Sequence, residues 1–408
     1  MVRERLADFS IQIRAFLDGT SSPRGEQFHG GWSQLIGQWT KTIEAMRPGV
    51  VCISMEEIDA VEMAKDDTMI LEIDSEDDAS SQQTPSVGAK RRFETFDPSP
   101  CPTPSKKQRP GASVFRTPTQ QQYEQMSSSQ GSNSTREIRR HFLSDTVYVK
   151  RYRQVDFGPF YQPYLGWGHK AIEVDKLHQR IKESSRTGKP EEDPIKVKEL
   201  YALKFIGHWD QPLETFLYYT FKMLREHVMA ILDEVFRKHI ETELYRQSRR
   251  IVDRVLTELQ DEQRRASFEF YKTEKAHLFT INTESFEHYK KEGLDAIKTQ
   301  RFKHRRDICY AKQKKAGKLD TLKGKTEAEM KNNLDEEKVN SILGPDKFAR
   351  ELSTAAYVRG YYTAARLRFT DSVCANLHAR YFSKVRDTLA GPLGGLLERE
   401  FKLNDGDS

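Results

Sequence analysis

The sequence predicts an all-α protein, an elongated antiparallel helical bundle interrupted by a long disordered insert. Two apolar periodicities and one compositional break carry that prediction. From Pro212, the residues Leu213, Leu217, Phe221, Leu224, Val228, Ile231 and Val235 recur at steps of four and three, and the pattern resumes weakly at Ile251, Val255 and Leu259. The second pattern follows Gly344-Pro345, where Phe348, Leu352, Ala355, Tyr362, Ala365, Phe369, Val373, Leu377 and Val385 mark one face. Between about Ser75 and Thr135 the chain is rich in Ser, Pro, Gln and Thr, and it holds too few aliphatic residues there to offset the entropy of ordering.

Taken in order, residues 1–49 read as an N-terminal helical segment and 50–135 as an acidic, then Ser/Pro/Gln-rich, disordered linker. Residues 136–297 read as the main helical region and 298–342 as a basic loop or helix. Residues 343–390 form a long helix that the Gly391-Pro392 pair ends, and 391–408 form a tail. The periodicity after Pro212 predicts one long helix or two nearly collinear ones, and Asp346 is placed to N-cap the second long helix. Helices of about 40 residues would extend about 60 Å, a length found in elongated bundles and coiled coils. Within residues 147–169 aromatic side chains alternate with Gly and Pro, which predicts a turn-rich segment packed against the helical body.

Composition narrows the function classes. The chain has 408 residues, of which 37% are hydrophobic and 31% charged. No apolar run reaches the roughly eighteen residues of a membrane span, and charges occupy the N-terminus where a secretory leader needs an apolar stretch. A cytoplasmic protein, peripheral at membranes, is expected. Cys52, Cys101, Cys309 and Cys374 are scattered without a CxxC pair, which argues against a zinc site or a disulfide framework. The net charge of +5 is modest, but its distribution is blocky. Glu56 to Asp78 holds eleven acidic residues against Lys65, and Lys298 to Lys325 holds eleven Lys or Arg against Asp307 and Asp320.

Three stretches together resemble fungal dynamin-like GTPases: FHGGWSQLIGQWTKTIEAMRPG (28–49), GHWDQPLETFL (207–217) and LGPDKFARELSTAAYVRGYYTAARLRFTDSVCANLHARYF (343–382). The last is similar to their GTPase effector domain, and the others to their stalk. The resemblance implies an antiparallel helical stalk in which residues 343–390 fold back along the helix that starts at Pro212. It also implies assembly, with a second copy or with a full-length dynamin-like GTPase, in membrane remodelling. The catalytic part of that family has no counterpart here. A P-loop needs GxxxxGK[ST] so that backbone N–H groups cradle phosphate. Gly324-Lys325-Thr326 supplies the end of that pattern, but Leu319 stands where the first Gly belongs, and Glu183 and Pro190 spoil the match around Gly188-Lys189. A non-catalytic protein without cofactor or metal is therefore expected, and a fragment of a longer GTPase is the alternative.

Three sets of residues are candidates for contact. Arg301, Lys303, Arg305, Arg306, Lys312, Lys314 and Lys315 lie where the family often carries a membrane-contacting loop. Clustered cations there suit an anionic membrane surface, with Phe302 and Tyr310 at the interface. Nucleic acid is the weaker alternative, and a solvated helical face is the plainer reading. Ile70, Leu71 and Ile73, followed by Asp74 and Glu76 to Asp78, resemble a SUMO-interacting motif, in which a short apolar strand adds to a partner's sheet edge. Lys90, Arg91 and Arg92 with Lys106, Lys107 and Arg109 resemble a bipartite nuclear import signal beside Thr103-Pro104 and Thr117-Pro118. Together these two motifs support an alternative reading as a nuclear SUMO-binding adaptor.

Overall fold

Two helices open the chain, α1 (Val2–Leu17) and α2 (Pro23–Ala45). Ser22 starts α2: its hydroxyl accepts from the Gly25 N–H, and Pro23 supplies the preset φ of a first helical position. The computed structural model describes residues 2–19, 22–60, 154–161, 171–185, 194–316 and 326–390, and most of these are helical. Gly49–Val51 forms β1, which pairs in parallel with β2 (Ala171–Glu173), and residues 55–60 make a helical turn. The ordered N-terminal segment thus runs past residue 49, because Cys52, Ile53, Ser54 and Ile58 are buried.

The short helix α3 (Gln154–Phe157) and a 3-10 turn over Gly158–Phe160 pack on α2, with Phe157 and Phe160 fully buried. Gly158 has φ +49°, a left-handed backbone that favours glycine, and a Cβ at this position would have to displace the Gln38 amide. After β2 come α4 (Val174–Ser184), α5 (Ile195–Ile206), α6 (Asp210–Val235) and α7 (Glu243–Ala276). They are followed by α8 (Thr283–Lys315), α9 (Glu327–Asn332), α10 (Glu336–Leu343) and α11 (Ala349–Asn376). A π-helical turn over Leu377–Phe382 leads into α12 (Ser383–Ala390).

The apolar positions after Pro212 are buried as their spacing predicts, but they do not belong to collinear helices. Helix α6 and helix α7 form a hairpin that reverses over residues 236–242. Glu214 pairs with Arg264, Arg225 reaches Asp253, Thr257 and Gln260, and Asp233 reaches Tyr245 and Arg249. Thr242 caps the return helix by accepting from the Tyr245 N–H.

Helix α11 occupies the centre. Its predicted apolar face is buried from Phe348 through Val373, and so are Glu351, Thr354, Arg359, Gly360, Thr363 and Thr370 on its other sides. The buried threonines bond back into their own helix, with Thr354, Thr363 and Thr370 donating to the carbonyls of Arg350, Arg359 and Arg366. A helix that looks amphipathic by its aliphatic residues is thereby buried well beyond its apolar face, with one narrow stripe, Ser353, Leu367, Asp371 and Ala375, left exposed.

Pair contacts give the directions. Helix α2 lies antiparallel to α11: Phe28 meets Phe382, Trp39 meets Phe369, the Ile43 carbonyl accepts from the Tyr362 hydroxyl, and the Pro48 carbonyl accepts from Arg359. Helices α7 and α8 follow one another along α11 in the same antiparallel sense, through Glu274–Arg368, Phe279–Tyr361, Phe286–Tyr357 and Arg301–Asp346. The closest of these approaches is at Gly360, where a Cβ would meet the Lys290 N and Cα at 2.7 and 2.8 Å. Helix α8 is the principal partner of α11.

The helix beginning near Pro212 is a lesser neighbour of the C-terminal helix than the resemblance implies. Contacts from α6 to the C-terminal segment come through Phe221–Tyr381 and, at the α6 N-cap, Trp209–Phe369 and Trp209–Tyr362. These contacts make α6 parallel to α11. Between them stands Trp39 of α2, stacked on Phe216 at 4.2 Å and edge-on to Phe369 at 5.9 Å.

Candidate functional site

Chemistry concentrates where the two charge poles of the sequence meet. Arg301, in the middle of α8, is 3% exposed, and its fork of donors is fully engaged. Its Nη1 donates to Glu57 Oε2 at 2.7 Å and to the Cys52 carbonyl at 2.8 Å, and its Nη2 to Glu57 Oε1 at 2.8 Å and Asp346 Oδ1 at 2.9 Å. Its Nε donates to Asp346 Oδ2 at 3.0 Å, and the guanidinium lies 5.2 Å from the Phe348 ring centroid. This bidentate clamp joins three segments: the stretch after β1, helix α8 and the approach to α11.

Asp346 therefore serves the clamp rather than an N-cap. Phe348 is the N-cap of α11 and makes no side-chain cap bond, although Asp346 Oδ1 does accept the Phe348 N–H at 3.2 Å. Four residues beyond Arg301, on the same face of α8, Arg305 donates to Asn340 Oδ1 at 2.9 Å and to the Gly344 carbonyl. It thereby ties α8 to α10 and to the turn before α11. Gly344 has φ +80°, the left-handed backbone that glycine adopts freely.

Burial works against both carboxylates, raising their pKa values, but Arg301 outweighs it. Hydrogen bonds and charge from Arg301, with the Ser54 N–H and Lys347, bring Glu57 below its ordinary 4.5. Arg301, the Phe348 N–H and Arg305 bring Asp346 below its ordinary 3.8. Burial pushes the Cys52 thiol up to about 12 despite the neighbouring Arg301 and Arg359, so Cys52 is a protonated, unreactive core side chain.

A cleft of about 470 Å³ opens beside the clamp, lined by Lys298, Phe302, Arg305, Val339, Asn340 and Leu352. Its walls also include Arg301, Glu336 and Asp346, so three cations stand with two carboxylates and the lining is mixed in sign. Among the described residues no cluster of His, Cys, Asp and Glu is arranged to hold a metal ion. Thr326, the last residue of the incomplete P-loop pattern, accepts the Glu329 N–H and forms a capping box at the start of α9.

The basic run is thus divided. Arg301 and Arg305 are buried structural cations, which corrects their assignment to a membrane or phosphate surface. Tyr310, also placed at that interface by the sequence, packs in a small core with Cys309, Leu334 and Val339, while Phe302 is half-buried. Arg306 is half-buried and donates to Asn332 Oδ1 at 3.0 Å. Lys303, Lys312, Lys314 and Lys315 are exposed. At about 100° per residue Lys303 and Lys314 share a face, whereas Lys312 lies opposite Lys303. The exposed cations therefore do not converge on one stripe.

The SUMO-type residues Ile70, Leu71 and Ile73 lie outside the described residues, as do the import-type residues Lys90, Arg91, Arg92, Lys106, Lys107 and Arg109. Sequence reasoning missed Glu57 as the partner of Arg301, because 244 positions separate them. The signal available was coarse: opposite charge blocks in one chain. Among the described residues no helix is long and apolar enough to cross a membrane. No known protein family, characterised protein or solved structure matches the chain.

Proposed function

We propose that the chain is a non-catalytic assembly module, similar to the stalk and effector region of dynamin-like GTPases, acting with a second copy or with a full-length dynamin-like GTPase in membrane remodelling. One observation carries this reading. The C-terminal helix α11, from the stretch that resembles an effector domain, is the central element on which the N-terminal helix α2 and the later helices α7 and α8 are laid antiparallel. The resemblance implies fold-back of the effector segment along the helix that starts at Pro212; the fold-back that supports the reading is instead onto α2, α7 and α8, while α6 lies parallel to α11.

The polar groups at the centre of the molecule support the same reading. Arg301 has its donors occupied by protein acceptors, Arg359 donates to the Pro48 carbonyl, and Tyr362 donates to the Ile43 carbonyl while accepting from Trp209 Nε1 at 2.9 Å. These bonds hold helices together and leave no activated nucleophile among them. Co-sedimentation of the purified chain with a full-length dynamin-like GTPase, together with its GTP turnover, tests the proposal. The expected result is co-assembly and altered turnover. A chain that neither binds the GTPase nor associates with itself refutes it.

A further inference from the structure

Helices α9 and α10, with the turn between them, form a strap over residues 326–343 whose principal partner is α8. Little apolar burial holds it. Helix α9 buries no residue and α10 buries only Val339, which joins Leu334, Cys309 and Tyr310 in a small core separate from the main one. A short unit resting on a satellite core opens at a lower free energy than the body it covers. Just beyond the strap, Gly344 has φ +80°, and nothing else in the fold lies within 4 Å of where its Cβ would be, so the backbone there has room to turn. The Arg301–Asp346 clamp follows Gly344 and does not depend on the strap.

The strap covers a face of α8 with an apolar centre and cationic borders. At about 100° per residue, Phe302 and Cys309 run down the middle of that face; Lys298, Arg305 and Lys312 border one side, and Lys303, Arg306 and Lys314 the other. Ile297, Arg301 and Ile308, on the opposite side, hold α8 to the rest of the fold. Lys303 and Lys312 lie opposite each other because they flank covered ground. Two guanidiniums at the strap lack an acidic partner. Arg305, 7% exposed, bonds to Asn340 Oδ1 and the Gly344 carbonyl; Arg306 bonds to Asn332 Oδ1, and its buried Nε has no acceptor among the described residues. The strap carries Glu327, Glu329, Asp335, Glu336 and Glu337 against Lys331 and Lys338, so its charge opposes that of α8. Its acids are nonetheless exposed, with Glu329 and Asp335 engaged in helix caps and Glu327 paired with Lys331. Neutral amides are left to meet the guanidiniums.

We infer that the α9–α10 strap is an autoinhibitory cover, and that its release presents the Phe302–Cys309 face of α8 to an anionic lipid surface. An apolar centre between cationic borders is the pattern of a helix that lies in the headgroup region. Lipid phosphates and carboxylates give Arg305 and Arg306 the charge-assisted bonds that the strap's amides do not, while Phe302 and Tyr310 settle at the interface. A nucleic acid duplex offers phosphates but no apolar layer for Phe302 and Cys309, which favours lipid. With the strap closed, the same residues are the structural cations and small core described above. The inference rests on the membrane-remodelling reading and supplies its lipid contact and the control of that contact.

The test uses the full chain and vesicles of phosphatidylserine with phosphatidylcholine, compared with phosphatidylcholine alone. In the unaltered protein, amides of residues 327–343 are expected to exchange at a lower free energy than those of residues 349–376, and faster still with the anionic vesicles. Leu334→Asp with Val339→Asp removes the strap's core, and this released chain is expected to co-sediment with anionic vesicles at least about tenfold more tightly than the parent, because the closed population no longer taxes binding. Exchange of its residues 349–376 should match the parent, which separates a lifted strap from a lost fold. Adding Lys303→Glu and Lys314→Glu to the released chain should return vesicle binding to the parent level. Strap amides that exchange only through global unfolding, or a released chain that fails to fold, overturn the inference by making the strap part of the main body. A folded released chain that binds vesicles no more tightly than the parent also overturns it, and one that instead gains affinity for an RNA or DNA duplex overturns it in favour of nucleic acid. Co-sedimentation with the full-length GTPase tests the assembly reading separately from all of these outcomes.

Discussion

Replacing Arg301 with Met isolates the clamp. Met keeps the unbranched stem of the side chain but removes the guanidinium, and with it every donor to Glu57, Asp346 and the Cys52 carbonyl and the contact with the Phe348 ring. Removing one partner of a buried ion pair leaves bare charge behind and costs about 3–5 kcal/mol; because Glu57 and Asp346 each keep 18% side-chain exposure, the low end, about 3 kcal/mol, is expected. That is a large share of a typical folding stability of about 5–15 kcal/mol. Urea unfolding followed by circular dichroism at pH 7 measures it. The sign of the pH dependence is fixed by the lowered carboxyl pKa values. In the parent protein the clamp contributes fully above the ordinary values of 4.5 and 3.8, and the contribution is lost as pH falls through them to the lowered folded-state values. The difference between parent and variant should therefore shrink in acid. Neutralising the stranded acids, with Glu57→Gln and Asp346→Asn added to Arg301→Met, should restore much of the loss at pH 7. A loss below about 1 kcal/mol for Arg301→Met at pH 7, or a loss that does not change with pH, would refute the clamp as a stabilising feature.

Other substitutions probe the packing around α11. Gly360→Ala forces a Cβ against the Lys290 backbone, so α8 and α11 must separate, and a loss of about 1–3 kcal/mol is expected in the same assay. Gly30→Ala, on an exposed and open stretch of α2, should instead raise stability by about 0.5–1 kcal/mol. Trp39→Ala removes the ring between Phe216 and Phe369 and should cost about 3–5 kcal/mol, seen also as a lower melting temperature. Charge reversal at Lys303 and Lys314 should leave stability within about 0.5 kcal/mol, because both are exposed.

The apolar faces were legible in the sequence because aliphatic spacing survives any tertiary arrangement. The direction of α7 was not. Residues 236–242 (FRKHIET) carry no Gly or Pro, so the reversal between α6 and α7 leaves no turn signature, and the resumed pattern at Ile251 reads as continuation. The burial of polar positions on α11 was also hidden, since Thr354, Thr363, Thr370 and Arg359 look like a solvent face until their hydrogen bonds inside the molecule are known. At the clamp, an Arg within a basic run reads as surface charge. Only the return of residues 52–57 to α8, after a β1–β2 pairing that spans more than a hundred positions, turns Arg301 into a buried cation. Asp346 sits one residue after Pro345, a position that reads as a helix cap, but the stronger demand there is a carboxylate for Arg301.

The central claim is that the C-terminal helix forms the middle of the fold, held by the first helices of the chain as well as by its near neighbours. Hydrogen exchange of the native protein tests this most directly. Amides of residues 349–376 should exchange only through global unfolding, together with those of residues 28–43 and at the same free energy. Exchange of residues 349–376 at a lower free energy than the α6–α7 hairpin, or independently of residues 28–43, would contradict it.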